Sequence, residues 1–417
     1  MAGAIVSVVS AVIPLTGCQQ ITKPEPIVAV PPQSFVRGWE ASIGNQEPVT
    51  RLNLVGEQLV ALTKDNYAYV FSASSGKLLY NDQIAPPGPA IQPPIPLPDG
   101  RCAFPVIDGF EIYDRVGKHV MSIPITETTS SPGVSQGSVV YIGVNSVTGG
   151  RIAALDFTPK QPSADQIATA KKLKIEIKPG LGQLLTKWEV FTQASITARP
   201  ALYQGAIYAA TTDGQVWAVN ETGSGLWELP DGTHTFHASG PIRADLKADD
   251  VGVYAASLDG KLYCLDRGSG RIKWAYYAGA PLEASPVVGV STVYQAVPGT
   301  GLAAIDKHAG GFAKAKWVNN QTAKFLSEDE KYVYGLGTNG HFIALDKQTG
   351  AQQFEGKSAT LTVFADSDMK SSTIYGASES GMMFSVKPVL VPGVMGQLAR
   401  TAPKPFEALA SATFARW

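Results

Sequence analysis

Asp259, Cys264 and Asp266 fall within one stretch, Ser257–Trp274, where two carboxylates and a thiol invite reading as a site. Elsewhere the reactive residues are dispersed. The histidines are His119, His234, His237, His308 and His341, and only His234-Thr-Phe-His237 is a close pair, expected in a loop between repeats. Metal centres need three or four converging ligands held by a second shell, which one pair does not supply. No phosphate loop or His-Glu-x-x-His is present. Asp-Gly pairs recur without the ligand ladders of calcium loops. The sequence therefore nominates no catalytic, cofactor-binding or metal residue.

The element that must position Asp259 and its neighbours explains them better. Val253, Ala255 and Ser257 alternate into Asp259-Gly260, and Leu262, Cys264 and Asp266 alternate out toward Ser269-Gly270. Period-2 alternation broken by Asp-Gly is a hairpin signal, because the turn needs positive φ. Related sentences occur around Leu59–Gly76, Cys102–Gly117, Val139–Asp156, Ala206–Asn220, Thr292–Asp306, Tyr332–Asp346 and Thr373–Val386, making eight copies with this one. A self-similar unit of roughly 40–45 residues with four strands is the signature of a β-propeller. Within the repeat, Asp259 makes a turn and Asp266 closes a strand. Cys264 takes the slot that Ala218 and Ala344 fill in other copies. A Cys102–Cys264 disulfide is an alternative that sequence distance does not test.

A large residue after each Gly turn marks the next strand: Trp39, Tyr80, Trp188, Trp227, Trp274, Trp317 and Phe354. Trp39 precedes the first full copy, and the eighth copy lacks its own. The fold expected is all-β, an eight-bladed propeller of four-stranded antiparallel blades, closed by the N-terminal strand near Trp39. A seven-bladed ring is the alternative, because Pro105 interrupts the second copy.

The chain has 417 residues, 44% of them hydrophobic and 17% charged, with a net charge of −1. That balance carries no electrostatic footprint for nucleic acid. Residues 1–17 read as a lipoprotein signal peptide, an apolar run too short to span a bilayer that leads into Leu15-Thr16-Gly17-Cys18, with cleavage before Cys18. Residues 18–34 read as a Pro-rich tether and 35–390 as the propeller, with an insertion at 159–187. Ala164–Leu173 in that insertion has helical composition, and 391–417 form a tail. Leu-Thr-Gly-Cys resembles the bacterial lipobox, which implies lipid on Cys18, anchoring by two or more acyl chains and a place on the outer membrane facing the periplasm.

The repeat (apolar-Tyr-x-x-x-x-Asp-Gly-x-Leu-Tyr-Ala-Leu-Asp-x-x-x-Gly-x-x-x-Trp) resembles the PQQ-type propeller repeat of quinoprotein dehydrogenases and of BamB-type lipoproteins. The dehydrogenases bind PQQ with a Ca²⁺ site and often use an adjacent Cys-Cys pair, which this chain lacks. Resemblance to the BamB group implies a non-catalytic scaffold with no cofactor, a monomer within a complex, whose partners are the outer-membrane protein assembly machinery or other envelope proteins. Its docking loop maps weakly onto Ser195-Ile-Thr-Ala-Arg199, making Arg199 the candidate partner-binding residue beside the lipidation residue Cys18. The alternatives are a PQQ-dependent dehydrogenase and a ligand-binding or envelope-sensing propeller with an aromatic axial pocket drawing on Tyr67, Tyr69 and Tyr263.

Overall fold

Each copy of the hairpin sentence forms the middle of its own antiparallel sheet, and a computed structural model contains eight such sheets. The structure describes residues 34–44, 48–125, 127–158, 171–172, 185–356, 361–366 and 371–389. The apolar N-terminal segment with Cys18, the tether, most of the insertion and the tail lie outside the described residues.

Blade 5 shows the pattern. Lys247–Ala248 pairs with Val253–Ala256, which pairs with Lys261–Leu265, which pairs with Ile272–Tyr277. Blades 1–4 and 6–8 repeat this order from the axis outward. Blade 2 is complete despite Pro105: Cys102–Val106 includes it and pairs with Gly109–Tyr113, so the ring has eight blades. The last blade consists of Leu361–Phe364, Ile374–Ser378 and Met382–Val389, and Ser34–Ser42 is its outer strand. The ladder runs from Ser34 opposite Val389 to Ser42 opposite Met382, with a bulge between Arg37 and Trp39. Ser385 Oγ accepts the Trp39 N–H at 3.1 Å, bridging the bulge.

Packing between blades follows from a large–small–large row across each sheet. Tyr254, Cys264 and Trp274 face one another in blade 5, as do Tyr294, Ala304 and Trp317 in blade 6. The small central residue lets the two rings meet, at 6.0 Å in both blades. Trp274, fully buried, packs with Val293, Val297, Ala303 and Ile305 of blade 6, so the core lies between blades. Five indoles, those of the Trp residues that follow the Gly turns, also donate to a carbonyl of the next blade's outer turn. Trp39 reaches Ala73 at 2.9 Å, Trp188 Glu221 at 2.7 Å, Trp227 Arg267 at 2.7 Å, Trp274 Lys307 at 3.0 Å and Trp317 Lys347 at 3.0 Å. At four of these joints the ring covers a positive-φ glycine, such as Gly270 under Trp227 and Gly350 under Trp317. Any side chain there would occupy the ring's space.

Three details differ from the sequence reading. Trp227 sits before, not within, the outer strand of blade 4. That strand is Thr235–His237, because Leu229–Thr233 makes an extra hydrogen-bonded turn between them. His237 is accordingly on a strand rather than in a connecting loop. Leu185–Thr192 forms the outer strand of blade 3, so residues 185–187 are strand, not insertion. Of the proposed helical stretch, Lys171 and Lys172 are described and are helical and exposed.

Blade 5 also gains a fifth strand. Gly311–Ala313, from the outer turn of blade 6, lies parallel to Trp274–Tyr276. It leaves Phe312 79% exposed against Tyr277, their ring centroids 5.6 Å apart.

Candidate functional site: the axial channel

The residues that first suggested chemistry are occupied by architecture. Asp266 Oδ1 accepts the Ser269 N–H at 2.9 Å and the Ser269 hydroxyl at 2.7 Å, and Asp346 does the same through Thr349. These bonds, the Ser269 hydroxyl foremost at Asp266, hold both carboxyls below the ordinary carboxylate range. Asp259 accepts the Lys261 N–H at 3.0 Å and the Tyr263 hydroxyl at 2.6 Å. Cys264 and Cys102 are free thiols in different blades, each pushed up to about 12 by burial. Without thiolate character neither is poised as a nucleophile.

His234 bonds the Trp227 carbonyl through Nδ1 at 2.9 Å, and His237 lies 3.2 Å from the Thr235 hydroxyl. No group of three or more His, Cys, Asp or Glu suited to a metal occurs among the described residues. Two serines merit inspection. Ser135, in Gly133-Val-Ser-Gln-Gly137, has nucleophile-elbow spacing that the sequence reading overlooked. It lies on a short inner strand, Val134–Gln136, and donates to the Pro96 carbonyl at 2.5 Å. Ser122 and His119 both bond Glu111 Oε2, each at 2.6 Å. His119 Nε2 also lies 3.3 Å from Ser122 Oγ, but the same nitrogen bonds the carboxylate, and Ser122 gives its proton to that carboxylate rather than to the imidazole.

Tyr69 and Tyr263 are buried between blades rather than around an axial pocket. Tyr263 packs edge-on to Phe236 at 5.0 Å, and Tyr67 stacks on Tyr69 at 6.2 Å.

The space on the axis is polar. A cavity of about 540 Å³ is bounded by the inner segments of seven blades, and its charged lining is Arg51, Arg199, Lys324, Asp245 and Asp366. Arg51 faces Leu62 in blade 1 and Lys324 faces Leu336 in blade 7. Arg199 and Asp245 each lie two residues before the first paired residue of their blades, Ala201 and Lys247. Asp245 Oδ1 accepts the Arg199 N–H at 2.9 Å, and the Asp245 N–H donates to Ser285 Oγ at 2.9 Å, so hydrogen bonds link blades 4, 5 and 6 around the channel. The structure thus places the partner-binding candidate Arg199 at the axis, directly after fully buried Ile196 and Ala198 in sequence. These donors and acceptors form no calcium cage: the two carboxylates come from different blades and share the lining with three cations.

The model for outer membrane protein assembly factor BamB, built of PQQ-type repeats, matches residues 177–355, less than half of the chain. No curated protein sequence matches. Among solved structures, BamB from Moraxella catarrhalis aligns at 16% identity with a TM-score of 0.61, covering 85% of this chain and 99% of that one. The computationally designed Ika8 protein aligns at 16% identity and a TM-score of 0.59, with 85% and 99% coverage. Sqt1 of Saccharomyces cerevisiae aligns at 13% and 0.60, with 88% and 100% coverage. Proteins this different in origin align about equally well, so the structural likeness speaks for fold alone. Repeat, ring and family model together make the chain an eight-bladed propeller of PQQ-type repeats that resembles BamB.

Proposed function

We propose that the protein is a non-catalytic, periplasm-facing lipoprotein scaffold for protein–protein interaction, and more specifically an accessory factor in outer-membrane β-barrel protein assembly. The observation that carries this reading is the match of residues 177–355 to the BamB model. It is supported by the use of the repeat carboxylates as turn caps, which leaves them no catalytic task. Lipid on Cys18 would hold the ring at the membrane through residues 18–34, and the protein would act as a monomer within a complex. Exposed rim aromatics, Phe191 at 71% and Phe312 at 79%, offer apolar contact at blade edges.

The test is in vivo crosslinking of the full chain followed by detergent extraction and purification. Recovery of β-barrel assembly components is expected, and their absence from the crosslinked material sinks the specific role. Cys18→Ser is expected to release the protein from membranes. Continued membrane association in that variant removes the lipoprotein claim.

A further inference from the structure

We propose that the axial channel binds a small oxyanion, a solute of the carboxylate or phosphate class. Three cationic side chains from three blades, Arg51, Arg199 and Lys324, line one cavity with two carboxylates, Asp245 and Asp366, leaving one positive charge in excess. The cations come from matching places in the ring. Arg51 and Lys324 occupy the innermost strands of blades 1 and 7, opposite the same hairpin position. Arg199 precedes Ala201, which faces Tyr208, as Asp245 precedes Lys247, which faces Tyr254. One layer of the barrel-like interior therefore concentrates positive charge on the axis, where protein walls focus its field.

Among the described residues, two of the three cations form no internal ion pair, and the third forms only a long one. Lys324 has no ion-pair partner among the described residues. Arg51 donates through Nη1 to the Ile91 carbonyl at 3.4 Å and to Gln92 Oε1 at 3.3 Å, both uncharged. Arg199 Nε lies 3.8 Å from Asp245 Oδ2, beyond hydrogen-bond length.

Two lining donors are also buried without an acceptor, Arg199 Nε and Asn53 Nδ2. Buried donors in folded proteins are nearly always satisfied. A guanidinium edge, a side-chain amide and an ammonium around one cavity are complementary to an oxygen-bearing anion, which accepts several such bonds at once. The aromatic lining is limited to Phe364, so the recognition is charge and hydrogen bonding rather than stacking.

The experiment is titration calorimetry of the full chain with sodium phosphate and, separately, sodium malonate, at fixed ionic strength against sodium chloride. Single-site binding of at least one probe is expected, and the better probe distinguishes the phosphate from the carboxylate class. Arg51→Gln and Lys324→Gln should each weaken it at least tenfold while melting cooperatively. Lys118→Gln, in an outer turn of blade 2, should leave it unchanged. The proposal is overturned if neither probe binds above the chloride control, or if binding survives both channel substitutions undiminished.

Discussion

Replacing Gly270 with alanine sets a methyl group against the joint between blades 4 and 5. The glycine has φ +72°, and a Cβ there would lie 2.7 Å from both Cδ2 and Cε3 of Trp227. Gly279, also in blade 5, has φ +77° with nothing within 4 Å of the same position. Both variants incur the left-handed backbone cost of an L-residue, about 1–2 kcal/mol. Only Gly270→Ala must also displace an indole that is 2% exposed and bonded to the Arg267 carbonyl at 2.7 Å. Losing that bond costs about 1 kcal/mol. Giving up about half of the roughly 3–5 kcal/mol attached to a buried Trp side chain adds about 2 kcal/mol. Gly270→Ala should therefore be about 3 kcal/mol less stable than Gly279→Ala, read from urea unfolding followed by far-UV circular dichroism. Equal midpoints and slopes for the two variants would refute the view that indole-on-glycine contacts hold the blades together.

Two other outcomes follow from the same geometry. Asp266 and Asp346 have folded carboxyl pKa values held down by turn hydrogen bonds, and Glu355 is held down chiefly by His341. Their stabilising contribution is complete above the unfolded carboxylate pKa of about 4 and is lost as pH falls through the lower folded values. Calorimetric melting temperature should decline below about pH 4, and a rise on acidification contradicts the assignment. At the buried slot of blade 5, Cys264→Ala should cost less than about 1.5 kcal/mol, since other blades carry alanine there, whereas Cys264→Leu should cost about 1–3 kcal/mol or more through overpacking. Denaturant titration of both variants checks the order, and the wild-type thiol should resist a disulfide reagent until unfolding.

Legibility in the sequence tracked local chemistry. Asp259-Gly260 and the alternation around it require no distant partner, so hairpins, blade number and the small slot at Cys264 could all be read. The outer strand of blade 8 was visible because Trp39 was a surplus strand marker. Trp227 misled because its packing role survives when a turn is inserted after it: the ring still caps Gly270 although the strand begins at Thr235. The parallel strand Gly311–Ala313 has no pattern of its own, being three residues long and defined by its neighbour. The axial layer was least legible. Inner strands such as Lys247–Ala248 are too short to show alternation, and only the ring brings Arg51, Arg199 and Lys324, from distant parts of the chain, to one cavity. Arg199 suggested itself through a family pattern, while the axial pocket suggested by the repeat aromatics Tyr67, Tyr69 and Tyr263 has none of them in its lining.

Closure by Ser34–Ser42 has a temporal meaning. The ring strand that is synthesised first is the last that can be paired, because its partner, Met382–Val389, is made after every other strand of the ring. Until then the strand has no ladder to join, although Tyr334, Phe342 and Phe354, which bury Phe35 in the finished ring, are made before that partner. Nascent chains therefore carry an unpaired strand until residues 382–389 emerge, a natural handle for chaperones. A chain that stops before residue 382 never loses that handle. Completion of the last blade is thus registered at the ring strand made first, about 340 residues earlier.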